Sequence, residues 1–268
     1  MTLLLPARCP LPLDSITHTD LLTLCSRLEP QSVDMILADL PYGTTACYWD
    51  EVIPFEPMWA AFKRIIKPRG AIVLTASQPF TSKLVCSNLE MFRYEWVWIK
   101  NKGSNFANAN FQPFKDHENI LVFYGISPTY NPQMEKRAPG GESRVRYPFN
   151  DAGINPITGL IRGRKDEHNI LRLPSSVQKF NCEMGYHPTQ KPVALFEYLI
   201  RTYTQPGELV FDPCVGSGTT AIAARNTGRH FICGDLSAEY VTIARNRLAQ
   251  PYTLPMFDRL PIMESVSA

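Results

Sequence analysis

An apolar run from Val33 to Ala38, interrupted only by Asp34, stops at Asp39-Leu40-Pro41-Tyr42. A short run of this kind, partly β-branched, reads as a parallel strand buried on both faces. Sheets built from such strands are covered by helices, and in doubly wound sheets ligands bind beyond the carboxyl ends of the strands. At that end stand a carboxylate that accepts hydrogen bonds, a proline that stiffens the loop and removes a backbone donor, and a phenol ring with a flat face. This set suits an amino group attached to a flat heterocycle. An ordinary strand-to-loop turn with a capping aspartate would use the same residues, so the rest of the chain must decide.

The other segments alternate in type. Ser15 to His18 reads as a short strand, and Thr19 or Asp20 caps a helix reaching about Leu28. Pro57 to Ile66 carries Trp59, Phe62, Ile65 and Ile66 at helical spacing, and Lys67-Pro68-Arg69-Gly70 reads as a stop and a turn. Ala71 to Ala76 is the next buried strand, Phe80 to Leu89 a helix, and Arg93 to Lys100 and Glu118 to Tyr124 two further strands. Between the last two, Asn101 to His117 is a polar loop rich in Asn and Phe; a loop of that length inside a compact domain is commonly functional. Ser127 to Tyr186 loses periodicity and reads as an irregular excursion from the sheet. Regularity returns with a helix from Val193 to Tyr203, a strand from Leu209 to Phe211, and a glycine-bearing turn from Asp212 to Gly218. A helix from Thr219 to Asn226, a strand from His230 to Cys233 and a helix from Ser237 to Ala249 complete the pattern. Strands separated by helices are the α/β signature. The expected divisions are 1–126, an insert at 127–186, a second half of the same domain at 187–250, and a proline-rich tail at 251–268.

Composition narrows the class. The 268 residues are 44% hydrophobic, enough for a substantial core, and no uninterrupted apolar run approaches the roughly 20 residues of a membrane span. The amino terminus makes a poor signal peptide, since prolines break its apolar patch and Arg8 is its one basic residue. Seven cysteines stand singly, at 9, 25, 47, 86, 182, 214 and 233, without metal-type spacing. That pattern argues against a disulfide framework and a zinc site, so no metal is expected, and the thiols fit a reducing, cytoplasmic setting. Net charge is only +2, but from Ser127 to Lys191 ten lysines and arginines face six acids. The insert is thus the basic segment, as expected where a chain meets phosphates; incidental charge on a solvated loop is the plain alternative.

A second constellation reads Phe211-Asp212-Pro213-Cys214-Val215-Gly216-Ser217-Gly218-Thr219-Thr220. Glycines at a strand-to-helix turn let backbone approach a ligand closely, and the helix start offers unpaired donors. It is not a phosphate loop: no G-K-[ST] follows, and Ala221 stands where a third glycine of G-x-G-x-x-G belongs. Asp235 ends the next strand, where an acid can accept from ribose hydroxyls. Together these point to a nucleoside-bearing cofactor without a pyrophosphate.

The glycine turn resembles the S-adenosylmethionine loop of the amino-group DNA methyltransferases. Ala38-Asp39-Leu40-Pro41-Tyr42 is similar to their catalytic Asp-Pro-Pro-Tyr motif, and His187-Pro188-Thr189-Gln190-Lys191-Pro192 to the segment preceding their cofactor loop. Catalytic motif, insert and cofactor loop come in the order of the beta group of that family, with the resemblance covering about Ile16 to Leu248. It implies a Rossmann-like S-adenosylmethionine-dependent methyltransferase fold: a mixed, mostly parallel sheet with helices on both faces and an irregular recognition insert. It implies S-adenosylmethionine as cofactor, double-stranded DNA as partner, no membrane, and leaves a homodimer open. Asp212, Pro213, Gly216, Ser217, Gly218 and Thr219 would shape the pocket for the methionine end. Asp235 would hold the ribose with Leu236 beside the adenine, and Asp20 would meet the adenine amino group. His187, Thr189 and Lys191 would contact the cofactor's carboxylate side, a solvated charge being the bland alternative for Lys191. Arg137, Arg144, Arg146, Arg162, Arg164 and Lys165 of the insert would hold DNA phosphates. Leu40 departs from the family's first proline, but the group expected to act there is a backbone carbonyl, which leucine also supplies.

On this reading the amino group of a flipped adenine donates to Asp39 and to the Leu40 carbonyl, Tyr42 stacks on the base, and methyl transfer is direct. Cytosine-directed relatives more often carry Ser in place of Asp39, so Asp favours adenine. A protein glutamine methyltransferase would carry Asn first and its cofactor loop upstream, and a non-catalytic DNA-binding protein would need no intact cofactor loop.

Overall fold

The computed structural model describes residues 11–43, 51–104, 106, 110–136, 171–183, 185 and 190–251. Ten strands and six helices are found among them. The strands are β1 (Ser15–His18), β2 (Val33–Asp39), β3 (Ile66–Ala76), β4 (Phe92–Ser104), β5 (Lys115–Phe123), β6 (Glu135–Lys136), β7 (Leu171–Arg172), β8 (Val177–Lys179), β9 (Leu209–Asp212) and β10 (His230–Asp235). The helices are α1 (Leu21–Ser26), α2 (Phe55–Ile65), α3 (Phe80–Ser87), α4 (Val193–Tyr203), α5 (Thr219–Asn226) and α6 (Ala238–Leu248).

Eight strands form one sheet in the order β1-β10-β9-β2-β3-β5-β4-β8. Neighbours run parallel except where β5 pairs antiparallel with β3 and with β4. The strand pleat sends alternate residues to opposite faces, and β2 shows the consequence. Met35 and Leu37 pack with Leu195 and Leu199 of α4, Ala221 of α5 and Ala244 of α6. Ile36 and Ala38 pack with Leu24 of α1, Phe62 of α2 and Phe80 of α3. Two apolar layers, one on each face, leave the carboxyl edge of the sheet as the place for polar chemistry.

Chain order reverses between β2 and β9. From β2 the chain winds through α2 to β3 on one side; from β9 it winds through α5 to β10 on the other. The two strands lie side by side, Ile36 opposite Phe211. A crevice opens beyond the carboxyl ends of strands at such a switch point. Asp39 and Asp212 are the last residues of the two strands, so both acid-bearing motifs meet there.

Three expectations need correction. Lys67 to Gly70 is not a turn between elements but an irregularity inside β3, where pairing jumps from Val33–Ile66 to Met35–Ala71. Asp34, the one interruption of the apolar run, explains it: its carboxylate takes Lys67 Nζ at 2.7 Å and the Leu209 backbone N–H at 3.0 Å, tying β3 and β9 to β2. A Cβ on Gly70 would come within 2.8 Å of the Asp34 carbonyl oxygen, so only glycine lets the chain cross there. Asn101 to His117 is shorter as a loop than expected, because β4 and β5 continue as a hairpin until Ser104 pairs with Lys115. The insert is not wholly irregular either: β6 and β7 pair antiparallel, and β8 joins the main sheet alongside β4. Strands of two or three residues are too short to show periodicity. Arg137, Arg144, Arg146, Arg162, Arg164 and Lys165 lie outside the described residues, as do His187, Thr189 and the tail from 252.

Among the described residues, no helix is long and apolar enough to cross a membrane. Cys25 and Cys233 are buried in the two layers and behave as small apolar side chains. Burial pushes the Cys25 thiol up to about 12 and raises those of Cys214 and Cys233 as well.

Candidate active site

Leu40, the residue after Asp39, is buried against the α1–α3 layer and anchors the loop. Two residues later the Tyr42 ring stacks on Phe80 of α3, with centroids 5.1 Å apart and planes 25° from parallel. Its hydroxyl donates to Asp39 Oδ1 at 2.7 Å and lies 3.1 Å from Thr75 Oγ1. Thr75 is paired with Asp39 across the β2–β3 ladder, and its hydroxyl donates to the same carboxylate oxygen. The other oxygen, Oδ2, receives Lys191 Nζ at 2.7 Å.

Lys191 is 4% exposed, so it is no solvated charge. Its ammonium also lies 3.3 Å from Glu118 Oε2 and 5.5 Å from the Tyr42 ring centre. Glu118, on β5, is buried and pairs through Oε1 with Lys100 of β4. The result is a row of alternating charges, Lys100, Glu118, Lys191 and Asp39, closed by two hydroxyls. Burial works against the Lys191 charge, but the carboxylates of Asp39 and then Glu118 outweigh it and hold the ammonium above the ordinary lysine range. Burial, reinforced by those same two carboxylates, raises the Tyr42 phenol well above its usual value, so it stays a neutral donor.

A carboxylate offers about four lone-pair positions. Two on Oδ1 are taken by the hydroxyls and one on Oδ2 by the ammonium, which leaves one acceptor position on Oδ2. The Asp39 side chain retains 23% exposure, so that position can be reached. The group is thus a carboxylate fixed in orientation by three donors, with one acceptor open.

The glycine turn stands beside it. Asp212 is buried beneath the turn, accepting from the Cys214 N–H at 2.9 Å and from the Thr220 hydroxyl. Burial raises its carboxyl to about 7, the carboxylates of Asp39 and Asp235 adding to the effect. Pro213 is buried, Gly216 (φ 51°) is half-buried, and the Gly216 N–H donates to Asp235 Oδ2 at 2.8 Å. Oδ1 of Asp235 accepts from the Ser237 N–H at 2.9 Å, which opens α6. Gly218, at φ 90°, answers to a different demand: an added Cβ would sit 3.0 Å from Ala244 Cβ, so glycine there permits α6 to pack. The hydroxyls of Ser217 and Thr219 lie 3.3 and 3.4 Å from Arg247 of α6. Thr219 Oγ1 also donates to the Lys191 carbonyl at 3.2 Å, linking the turn to the residue that holds Asp39.

Asp20 caps α1 by accepting from the Thr23 N–H at 2.9 Å, and those hydrogen bonds lower its carboxyl. It adjoins Asp235 through the neighbouring Thr19 N–H, which donates to the Asp235 carbonyl at 3.0 Å. Leu236, next to Asp235, is 68% exposed, an apolar side chain left at the rim of the crevice.

The fold therefore gathers Asp39, Leu40, Pro41, Tyr42 and Lys191 at one strand end. It sets Asp20, Asp212, Pro213, Gly216, Ser217, Gly218, Thr219, Asp235 and Leu236 at the adjoining ends of the same edge. Sequence reasoning sent Lys191 toward a cofactor carboxylate; the structure pairs it with Asp39. It missed Thr75, Glu118 and Lys100, which contact the site only through strand pairing and long side chains. The one signal available was a charged residue, Glu118, opening an otherwise apolar strand segment. A separate cleft at the amino edge, lined by Asp14, Arg225, Arg229 and His230, has its cations engaged. Arg225 donates to the carbonyls of Leu248 and Gln250, Arg229 to Thr204, and His230 pairs with Asp14.

Comparison with known proteins gives the family and the fold. The N6/N4 family model, described as DNA methylase, matches residues 33–246. The chain is 27% identical over 256 residues to the type II methyltransferase M2.DpnII of Streptococcus pneumoniae, covering 87% of this chain and 88% of that protein. It is 28% identical over 235 residues to the type II methyltransferase M.HpaI of Haemophilus parainfluenzae, covering 82% and 69%. Among solved structures, the M1.HpyAVI–SAM complex aligns with a TM-score of 0.57 at 21% identity, over 88% of this chain and 98% of that one. PvuII DNA methyltransferase, cytosine-N4-specific, aligns with a TM-score of 0.63 at 15% identity, over 90% and 88%. These two structural likenesses speak for a shared fold.

Proposed function

The chain belongs to the N6/N4 DNA methylase family, and from that premise we propose that it methylates the exocyclic amino group of an adenine swung out of double-stranded DNA. S-adenosylmethionine is the donor, supplying a methyl group on a positively charged sulfur. The residues fit such a cofactor. Asp235 ends β10 at the carboxyl edge, its carboxylate oriented by the Gly216 and Ser237 N–H groups, in the place where an acid can accept from ribose hydroxyls. Exposed Leu236 offers an apolar surface for the adenine, with Asp20 near enough to meet its amino group. Half-buried Gly216 lets the methionine end approach the backbone of the turn.

The single observation that carries the reading is the open acceptor on Asp39 Oδ2. An adenine amino group is a poor nucleophile because its lone pair is delocalised into the ring. Asp39 takes one of its N–H bonds and the Leu40 carbonyl the other, drawing the nitrogen toward tetrahedral geometry and aiming its lone pair away from the ring plane. Thr75, Tyr42 and Lys191 keep Asp39 oriented while this happens, so catalysis is positioning and electrostatics. The proton released from the amino group leaves by way of Asp39. Tyr42, backed by Phe80, serves the base as a stacking platform.

The hairpin between β4 and β5 supports an approach by DNA. Because β5 runs antiparallel to β3, with Asn119 opposite Ala76, its start projects past the carboxyl edge. Phe106, Phe111 and Phe114 are 68%, 89% and 51% exposed there. Exposed aromatic clusters mark binding surfaces, and a flipped base leaves a gap in the stack that an aromatic ring can fill. The basic residues Arg137, Arg144, Arg146, Arg162, Arg164 and Lys165, carried by the chain between β6 and β7, hold phosphates.

Methyl transfer from labelled S-adenosylmethionine to duplex DNA, with the modified base identified by mass spectrometry, tests the reading. N6-methyladenine is expected from the native chain and none from Asp39→Ala. N4-methylcytosine alone would move the chain to the cytosine branch of the family, and no product on any duplex would overturn the assignment.

A further inference from the structure

Lys100 and Glu118 touch neither the glycine turn nor the catalytic loop, yet they complete the charge row that ends on Asp39. Glu118 places Oε2 3.3 Å from Lys191 Nζ and gives Oε1 to Lys100, and Lys191 Nζ lies 2.7 Å from Asp39 Oδ2. The side chains of Glu118 and Lys100 are 11% and 12% exposed, so little water screens them. A second, half-engaged carboxylate this close to Lys191 is not needed to bury a lysine already paired with Asp39. It draws part of the ammonium's attraction away from Asp39, and Lys100 limits how much.

We propose that Lys100 and Glu118 are positioning residues that set, through Lys191, how strongly Asp39 holds its negative charge and hence how well it accepts from the substrate amino group. This rests on the reading of Asp39 as the acceptor for that amino group. With both present the row is neutral, two ammoniums against two carboxylates. Removing Glu118's charge leaves an excess of positive charge behind Asp39; removing that of Lys100 leaves an excess of negative charge. Tyr42 and Thr75, and across the crevice Asp212 and Cys214, also face Asp39, and neither substitution touches them.

The two changes therefore displace the acid limb of the rate–pH profile in opposite directions. In single-turnover methyl transfer at saturating DNA and S-adenosylmethionine, Lys100→Met is expected to move the acid limb upward from that of the native chain. Glu118→Gln is expected to move it downward and to lower the plateau rate, because a more strongly held charge is a weaker acceptor. A charge alteration at this range in a partly buried site is worth about half a pH unit or more. The double variant, neutral again, should restore the native limb, and Lys100→Arg should leave it in place. Limbs that stay put, or both move the same way, would overturn the proposal even if rates fall, since a merely structural role lowers rate without opposite shifts. Should the native chain fail to methylate adenine in DNA, the functional reading itself falls, before any variant is compared.

Discussion

Asp39 and Asp212 are both strand-end carboxylates at one edge, and their surroundings differ. Asp39 has a cation and two hydroxyls; Asp212 has a hydroxyl and one N–H, with two more carboxylates nearby. Burial raises Asp212 to about 7 from an ordinary value near 4, so the folded chain binds a proton there that the unfolded chain has lost. Stability linked to that proton is present below about pH 4 and falls as pH rises through about 7. Asp212→Asn should flatten this decline, so thermal midpoints measured between pH 5 and 8 should converge on or cross those of the native chain as pH rises. For Asp39, replacement by Ala should lower single-turnover methylation by roughly a hundredfold or more, the range seen when a preorganised transition-state contact is removed. Cofactor affinity, read by calorimetry, should change far less.

At the scale of elements, the glycine turn and the hairpin make opposite predictions. Gly218 combines φ 90° with an Ala244 Cβ that an added methyl would meet at 3.0 Å. Gly218→Ala should therefore destabilise the fold by about 1–3 kcal/mol in denaturant titration and shift the start of α5. Phe111 is 89% exposed, so Phe111→Ala should leave the melting temperature in place while weakening binding to duplex DNA. Helices α4 and α5 were legible to the residue, because apolar spacing and flanking proline or glycine mark both ends. The irregularity at Lys67–Gly70 was not. A proline and a glycine read locally as a stop, and only the Asp34 side chain, bonded to Lys67 and to Leu209, keeps the chain in the sheet.

For the whole molecule, one short strand pair brackets residues 137–170 in the chain. β6 and β7 pair antiparallel, Lys136 opposite Leu171, and Glu135 is tied to Arg172 at 2.7 Å and to Gln178 at 2.7 Å. Residues 137–170 can then be replaced by Asn-Gly, a pair that closes two antiparallel strands. The shortened chain should fold and bind S-adenosylmethionine, with DNA binding lost in a mobility-shift assay. The succession of the longer strands, the two acid-ended motifs and the glycine turn could be read along the chain, because each is a local pattern of apolar run, acid and glycine. Which strands lie side by side is not local. Only the tertiary structure set β2 against β9, brought Glu118 and Lys100 from an antiparallel hairpin to the same edge, and turned Lys191 toward Asp39, because a buried ammonium must settle on whatever carboxylates the packed strands place within its reach.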